Sequence, residues 1–376
     1  MRERSDRGTI LITANTSWYL FNFRLTLIKH LVAAGFPVVA VAPQDDYSGR
    51  LKIDGVRFIP YSLNRKGLNP LAELRAVYRF YRIMVLSKPD LILSFTPKLN
   101  LYASFAARLL SVPIINNVSG LGYAFIKRGA LALLASVLYR LAFGRSKTVF
   151  FQNNDDKTFF LEHRLVNPHI TGRLPGSGVD TVRFTPSEAG NKADRFEFLL
   201  VARVLWDKGV GEYIEAARIV RRLHQGVRFL LLGPLDEGNP SSIPREQVMK
   251  WVSEGLLEYL GATDDVAGHL TNADCVVLPS YREGCPRSLL EAASMAIPVI
   301  TTDAPGCRDV VDDGTSGYLC RLRSPEDLAE KMLKMIEMPL ERRVAMGKHG
   351  RKKMIREFDE RIVLERYMAA IEQVYM

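Results

Sequence analysis

The chain has 376 residues, 47% of them hydrophobic, which suits two cores of the usual ~100–200-residue domain size; it holds no low-complexity segment and no internal repeat. Its formal charge of +10 is uneven: residues 1–180 carry 24 Lys and Arg against 11 Asp and Glu, while residues 181–376 carry 27 against 30, so the first half is the one expected to meet something anionic. The longest apolar run, Gly129–Phe143, is interrupted by Arg140 and falls short of the ~20 residues a spanning helix needs, which argues against a transmembrane protein.

The start, MRERSDRGTILIT, puts charges before a short strand rather than before the apolar core of a signal peptide. From there the pattern alternates. Thr9–Ala14 reads as a strand, Phe21–Ala34 as a helix ended by Gly35, and Pro37–Ala42 as a strand. A helix near Leu71–Leu86 follows, then strands at Asp90–Phe95, Pro113–Asn117 and Thr148–Gln152. Alternation of strand and helix implies a parallel sheet covered on both faces. The irregular stretch Leu174–Asp194 is the expected boundary.

The second half restarts the alternation. Phe196–Ala202 reads as a strand, Gly209–Leu223 as a helix and Val227–Gly233 as a strand; strands at Leu257–Leu260, Ala273–Pro279, Pro298–Thr302 and Tyr318–Cys320 follow with helices between. The predicted class is therefore α/β, with Rossmann-like domains over 1–180 and 181–360, and a terminal helix, 361–376, crossing back to the first domain. Two such domains facing each other leave a cleft at the C-terminal ends of their strands, where ligands bind in parallel sheets. No G-x-G-x-x-G occurs, which argues against a dinucleotide dehydrogenase.

Cys275, Cys285, Cys307 and Cys320 form no C-x-x-C pair and read as reduced thiols of a cytosolic protein. Cys285 alone lies in a suspected site, and reads as a small apolar residue rather than a nucleophile. The six histidines show no metal-ligand spacing.

The chemistry concentrates in SYREGCPRSLLEAASMAIPVITTD, residues 280–303. Pro286 suits a first helical turn, and the helix is predicted from Arg287 to about Met295. Its N–H groups near Arg287, Ser288 and Leu289 point back to the end of the preceding strand, a ready site for phosphate. Glu283, in the loop before that helix, can reach a group attached to the phosphate. Glu291, deeper in the helix, can accept paired hydroxyls such as a ribose diol. The other reading is two solvated carboxylates on a surface helix. Arg203 and Lys208, both at the end of the strand Phe196–Ala202, favour the first, because a departing diphosphate gathers negative charge. Their own alternative is a surface salt bridge.

The ordered set VARVLWDKG, LGATDDV, ADCVVLPSYREGCPRSLLEA, PVITTD and GTSGYLC resembles the family-four retaining glycosyltransferases of the GT-B fold over nearly the whole chain, and Glu, seven residues, Glu is that family's signature. The resemblance implies metal-independent transfer from a nucleotide sugar, here expected to be a UDP-sugar, with no cofactor. Glu283 would orient the donor sugar. The backbone of Cys285, Pro286, Arg287 and Ser288 would hold sugar and phosphate. Arg203 and Lys208 would bind the diphosphate, Glu291 the ribose, and Asp265 and Val266 would flank the base together with the loop after Gly233. No D-x-D occurs, consistent with that reading. No role passes to Asp309, where the family usually has a glutamate.

FNFR, APQDDY, SLNRKGLNP, SGLGYAF and ARVLWDKG carry a closer likeness to enzymes that extend lipid-diphosphate-linked saccharides, implying an undecaprenyl-diphosphate-linked acceptor and a place on the cytoplasmic face of the inner membrane. Where many family members have a histidine near the donor's C6 hydroxyl, this chain has Ser119, which can hydrogen-bond but is a poor base. The loop after Ala14 lacks the family's paired glycines, and Asn15 and Thr16 are the residues expected to position the acceptor. Arg24, Arg65, Lys66, Lys98, Lys127, Arg128, Arg140, Arg145 and Lys147 are the cations of the basic half that would meet the acceptor or an anionic membrane. Ile126–Phe143 is expected to pack half its apolar surface on its own domain and offer the rest to lipid. Nucleic acid fits less well, because the basic positions are diluted by Leu and Ala. Two competing readings are a UDP-sugar epimerase, which would turn over the donor alone, and a membrane-bound nucleotide-sugar sensor, which would release no UDP.

Overall fold

The structure, a computed structural model, describes residues 7–63, 69–121, 130–186 and 195–375. The chain divides into two compact units, residues 1–177 with 363–376, and residues 178–362.

The first unit is built on β1 (Ile10–Thr13), β2 (Val38–Ala42), β3 (Val56–Pro60), β4 (Leu91–Phe95), β5 (Ile114–Val118), β6 (Thr148–Phe151) and β7 (Thr171–Arg173), in the order β3-β2-β1-β4-β5-β6-β7. Every pairing is parallel. The helices are α1 (Ser17–Ala33), α2 (Pro70–Ser87), α3 (Pro97–Leu110), α4 (Ala130–Phe143), α5 (Asn154–Glu162) and, from the end of the chain, α12 (Glu360–Tyr375).

A strand buried on both faces shows an unbroken apolar run, and its alternate residues feed different layers. Ile10 and Ile12 of β1 join Leu20, Leu27 and Leu31 of α1 and Val363, Tyr367 and Ile371 of α12 in one core. Leu11 points the other way, to Phe80 of α2 and Tyr102 and Ala103 of α3. Helix α1 starts four residues before the expected Phe21, because Thr16 caps it by accepting from the Tyr19 N–H. Strands β3 and β7 and helices α3 and α5 went unread in the sequence; β3 and β7 are the sheet's edge strands and are only partly buried.

The second unit holds β8 (Glu197–Val201), β9 (Arg228–Leu232), β10 (Glu258–Gly261), β11 (Cys275–Leu278), β12 (Val299–Thr302) and β13 (Gly317–Cys320), ordered β10-β9-β8-β11-β12-β13 and again parallel throughout. Its helices are α6 (Val210–Leu223), α7 (Arg245–Ser253), α8 (Val266–Asn272), α9 (Arg287–Ser294), α10 (Pro325–Glu337) and α11 (Leu340–Lys353). In each sheet the strand order reverses once, at β1/β4 and at β8/β11, and such a switch point is where the loops of adjacent strands part and leave room for a ligand.

Helix α12 is bound into the first unit by more than apolar contact. The Asn117 amide donates to the Tyr367 hydroxyl at 2.9 Å, the Gln152 amide donates to Asn117 Oδ1 at 3.2 Å, and the Tyr367 ring packs against Phe95 and Phe150. Truncating a fully buried aromatic costs about 3–5 kcal/mol and losing one hydrogen bond about 1 kcal/mol. Tyr367→Ala is therefore expected to lower the stability of the first unit by the larger amount and Tyr367→Phe by the smaller, in chemical denaturation followed at a probe in residues 7–177. Equal losses for the two variants would show that ring burial is not what holds α12.

Candidate active site

In the second unit the loops after β8 and β11, which flank the switch point, are locked together. Gly209 has φ of +73°, and a Cβ there would lie 2.1 Å from the carbonyl oxygen of Pro279. Only glycine lets the two loops approach so closely. The Tyr281 N–H donates to the Asp207 carbonyl at 2.9 Å, and the Ser280 hydroxyl donates to Glu283 Oε1 at 2.8 Å. The same carboxylate oxygen accepts from Lys208 Nζ at 2.5 Å, both side chains being about 15% exposed. Lys208 comes from the end of β8 and Glu283 from the end of β11, so this ion pair spans the switch point.

A third loop closes on the pair. After β12, Gly306 at φ +78° brings its backbone so near that a Cβ would lie 2.3 Å from the Glu283 carbonyl oxygen, and the Glu283 N–H donates to Pro305 at 3.0 Å. Arg203, also after β8, pairs with Asp236 of the loop after β9 at 2.6 Å and is about half exposed. Both cations thus sit in ion pairs, as the alternative reading had it, but Lys208 and Glu283 are largely shielded from water, whereas Arg203 faces it.

Helix α9 runs Arg287–Ser294 behind these loops, and its N-cap residue, Pro286, makes no side-chain capping bond to the first turn. Pro286 takes the N-cap place, and Leu289, expected among the phosphate-facing amides, instead donates its N–H to the Pro286 carbonyl at 3.1 Å and buries its side chain in the core. It drops out of the site. Ser288 stays partly exposed in that turn. Glu291 is buried; Oε1 accepts from Arg287 Nε at 2.7 Å, and Oε2 has no partner among the described residues. Burial raises its carboxyl above the usual range, against the pull of the Arg287 guanidinium. Asp265 caps α8 by accepting from the Gly268 N–H at 3.0 Å, and Val266 packs half-buried on the core. Cys285 is partly buried, in no disulfide, and packed against the core; Cys275, Cys307 and Cys320 are buried, and burial pushes the last two thiols up to about 12.

In the first unit the expected residues scatter. Asn15 follows β1 and Ser119 follows β5, both half-buried at strand ends. The Thr16 hydroxyl is occupied as the cap of α1. Arg24, expected at a surface, is a correction: it is 1% exposed, stacked 4.2 Å from the Phe95 ring centroid, with Nη2 donating to the Tyr19 hydroxyl at 3.1 Å, so it meets neither acceptor nor lipid. Its helix face is the one that packs on β4, and cation–π contact replaces part of its lost hydration. Lys98 pairs with Glu73 at 2.8 Å. Arg140 donates to the carbonyls of Arg164 and His163, at 3.0 and 3.1 Å. Arg145 and Lys147 are exposed. Arg65, Lys66, Lys127 and Arg128 lie outside the described residues. Sequence reading missed Asp236 and Ser280, which hold the site's cation and carboxylate; neither has a signal short of knowing which loops meet.

Comparison with known proteins agrees with this architecture. Residues 183–353 match the family Glycosyl transferases group 1, and residues 23–171 the Glycosyl transferase 4-like domain. The chain is 28% identical to the N,N'-diacetylbacillosaminyl-diphospho-undecaprenol alpha-1,3-N-acetylgalactosaminyltransferase of Campylobacter jejuni, covering 94% of this chain and 96% of that one. It is 24% identical to the UDP-Gal:alpha-D-GlcNAc-diphosphoundecaprenol alpha-1,3-galactosyltransferase of Escherichia coli, over 78% and 79%. Among solved structures, Anabaena Alr3699/HepE in complex with UDP and glucose superposes with a TM-score of 0.81 at 17% identity, over 97% of this chain and all of that one.

Gly306 and Gly314 separate steric closure from backbone strain. Both have positive φ, +78° and +72°, but a Cβ at Gly314 meets nothing within 4 Å. Gly314→Ala is expected to cost about 1 kcal/mol, the strain of the left-handed region alone. Gly306→Ala should cost at least about 2 kcal/mol more, because backbone must move. Thermal melting of the two variants checks this; equal shifts would show that the loop after β12 yields freely.

Proposed function

Since the chain belongs to the glycosyltransferases of the GT-B fold, we propose that it moves a sugar from a UDP-sugar to an undecaprenyl-diphosphate-linked saccharide with retention of anomeric configuration, as a family-four enzyme. The observation that carries the donor half is the Lys208–Glu283 pair over the β8/β11 switch point, followed in the chain by the N-terminus of α9. A diphosphate laid there meets Lys208, Arg203 and the turn at Pro286–Ser288, whose helix dipole favours negative charge. Glu283 then exchanges part of its bond to Lys208 for a hydroxyl of the donor sugar, and Glu291 offers Oε2 to the ribose. Asp265, Val266 and the loop after Gly233 flank the base. As the glycosidic bond breaks, charge gathers on the departing UDP, and preorganised cations stabilise it more there than in the ground state. That transfer needs no metal is part of the proposal; undiminished turnover in a chelator supports it.

The acceptor's chemistry follows from the two relatives above, both named for diphospho-undecaprenol saccharides. They are transferases by name, and the epimerase and sensor readings draw no support from them. Asn15, Thr16 and Ser119, at strand ends of the first unit, are the residues proposed to face the acceptor hydroxyl and the sugar. Helix α4 supports a place on an anionic membrane surface: Ala135, Tyr139 and Phe143 face inward, while Leu133, Leu134, Val137 and Leu141 are exposed. Among the described residues no helix is long and apolar enough to cross a membrane. On this reading the basic half serves lipid and acceptor rather than nucleic acid, on the cytoplasmic face of the inner membrane.

Glu283→Ala is expected to lower UDP release with a polyprenyl-diphospho-saccharide acceptor at least about a hundredfold, the scale of losing one transition-state group. UDP should bind the variant at least as well as wild type, because Lys208 loses its carboxylate. Near-normal turnover would sink the assignment.

Glu291→Gln separates binding from stability. The folded protein holds this carboxyl above its usual value of 4.5, so ionisation opposes folding, and wild type loses stability as pH rises from about there. At pH 7 the Gln variant should melt no lower than wild type, with any advantage shrinking toward pH 4, yet bind UDP about tenfold more weakly, one good hydroxyl contact's worth. UDP affinity equal to wild type would remove Glu291 from the ribose.

A further inference from the structure

The first unit carries another cluster, at the edge of its sheet where the strands begin rather than where they end. A cavity of about 370 Å³ opens between the C-terminal ends of α3 and α4. Arg108, Arg145 and Lys147 line it, with Ser104 and Ser111, over a floor made by Pro113 and Ile114 at the start of β5. No Asp or Glu is among its lining residues, and none of the three cations has a side-chain ion pair or hydrogen bond among the described residues. Helix dipoles explain part of this: Arg108 lies in the last turn of α3, and Arg145 lies just past α4. They do not explain Lys147, which precedes β6, nor why three like charges share one concavity.

Three unpaired cations around a space of that size suit a group with several anionic oxygens, of which phosphate is the commonest. The surroundings narrow the source. Leu109, 72% exposed, adjoins Arg108 in sequence, and Leu141 belongs to the exposed apolar face of α4 that ends beside Ala142 and Arg145. Exposed leucines beside a cationic pocket match a lipid, whose phosphate and acyl chains arrive together, better than a free ion.

We propose that this cavity takes the phosphodiester headgroup of an anionic phospholipid and so fixes the orientation in which the first unit meets a membrane. The proposal rests on the membrane part of the function above, not on the transfer chemistry, and UDP release in detergent tests that chemistry separately.

The test uses the full chain, inorganic phosphate, and vesicles of phosphatidylglycerol or of phosphatidylcholine. Arg108→Ser with Lys147→Ser empties the cavity of two cations; Lys52→Ser with Arg57→Ser, at exposed positions around β3 on the far edge of the sheet, removes equal charge elsewhere. Inorganic phosphate is expected to shift the amide resonances of Ser111 and Ile114 in wild type and in the β3-edge variant, but not in the cavity variant. Each cation near an anionic leaflet is worth about a fivefold change in partition, so the cavity variant should lose about twenty- to thirtyfold in association with phosphatidylglycerol vesicles. The β3-edge variant should stay within about threefold, and neither should matter for phosphatidylcholine. If the phosphate shifts vanish in the cavity variant while its vesicle association equals wild type, the ligand is a soluble phosphate and the lipid assignment is overturned. If no localised shifts occur, or both double variants lose vesicle association equally, the charge is diffuse and there is no site. Matching melting temperatures for the variants exclude misfolding as the cause of any loss.

Discussion

Two loops of the second unit, after β8 and after β11, are held at a distance no side chain at position 209 would permit. The Gly209–Pro279 approach and the Lys208–Glu283 pair are two aspects of one constraint: they close the switch point of a parallel sheet into a small, preorganised polar site. If the loops stood further apart, Lys208 would be solvated, and the diphosphate of the proposed donor would gain little from it, because charge interactions weaken steeply in water. The loop after β12, pressed on Glu283 by Gly306, leaves that carboxylate's backbone little freedom. Catalysis by preorganised charge requires that geometry to exist before the substrate arrives.

The same site shows why function and stability pull apart. Glu291 is buried with one oxygen on Arg287 and the other unpartnered among the described residues, and burial alone raises its carboxyl. A glutamine, which keeps an oxygen for Arg287 without a buried charge, would suit the fold as well. Arg203 and Lys208 are each paired with a carboxylate, so they are kept in place without being neutralised for good. On the proposed function, a diphosphate would exchange with those carboxylates instead of meeting bare cations.

The first unit solves a different problem. It must seat the end of the chain, and it does so with Tyr367 against Phe95 and Phe150 and a hydrogen bond from Asn117. It also buries Arg24 on aromatic rings without a carboxylate partner among the described residues, so not every cation of the basic half is available to a partner. Of the positive charges there, Lys98 and Arg140 are engaged internally, while Arg108, Arg145 and Lys147 gather at one concavity. Net charge suggested an anionic partner; only the distribution says which cations are free to meet it.

The parallel α/β class was legible because doubly buried strands such as Ile10–Thr13 and Cys275–Leu278 write themselves as unbroken apolar runs, and Pro286 and the Glu283–Glu291 spacing marked a helix start with carboxylates on either side. The edge strands Val56–Pro60 and Thr171–Arg173 were not legible, since a partly buried strand lacks that run. Local chemistry is set by neighbours a few residues away, which a sequence displays. Which loops meet is set by strand order, so the partnership of Lys208 with Glu283, 75 residues apart, and of Arg203 with Asp236 belonged to the tertiary structure alone. So did the fate of Arg24: a helix presents every residue to some side, and packing decided that this one faced Phe95 instead of water.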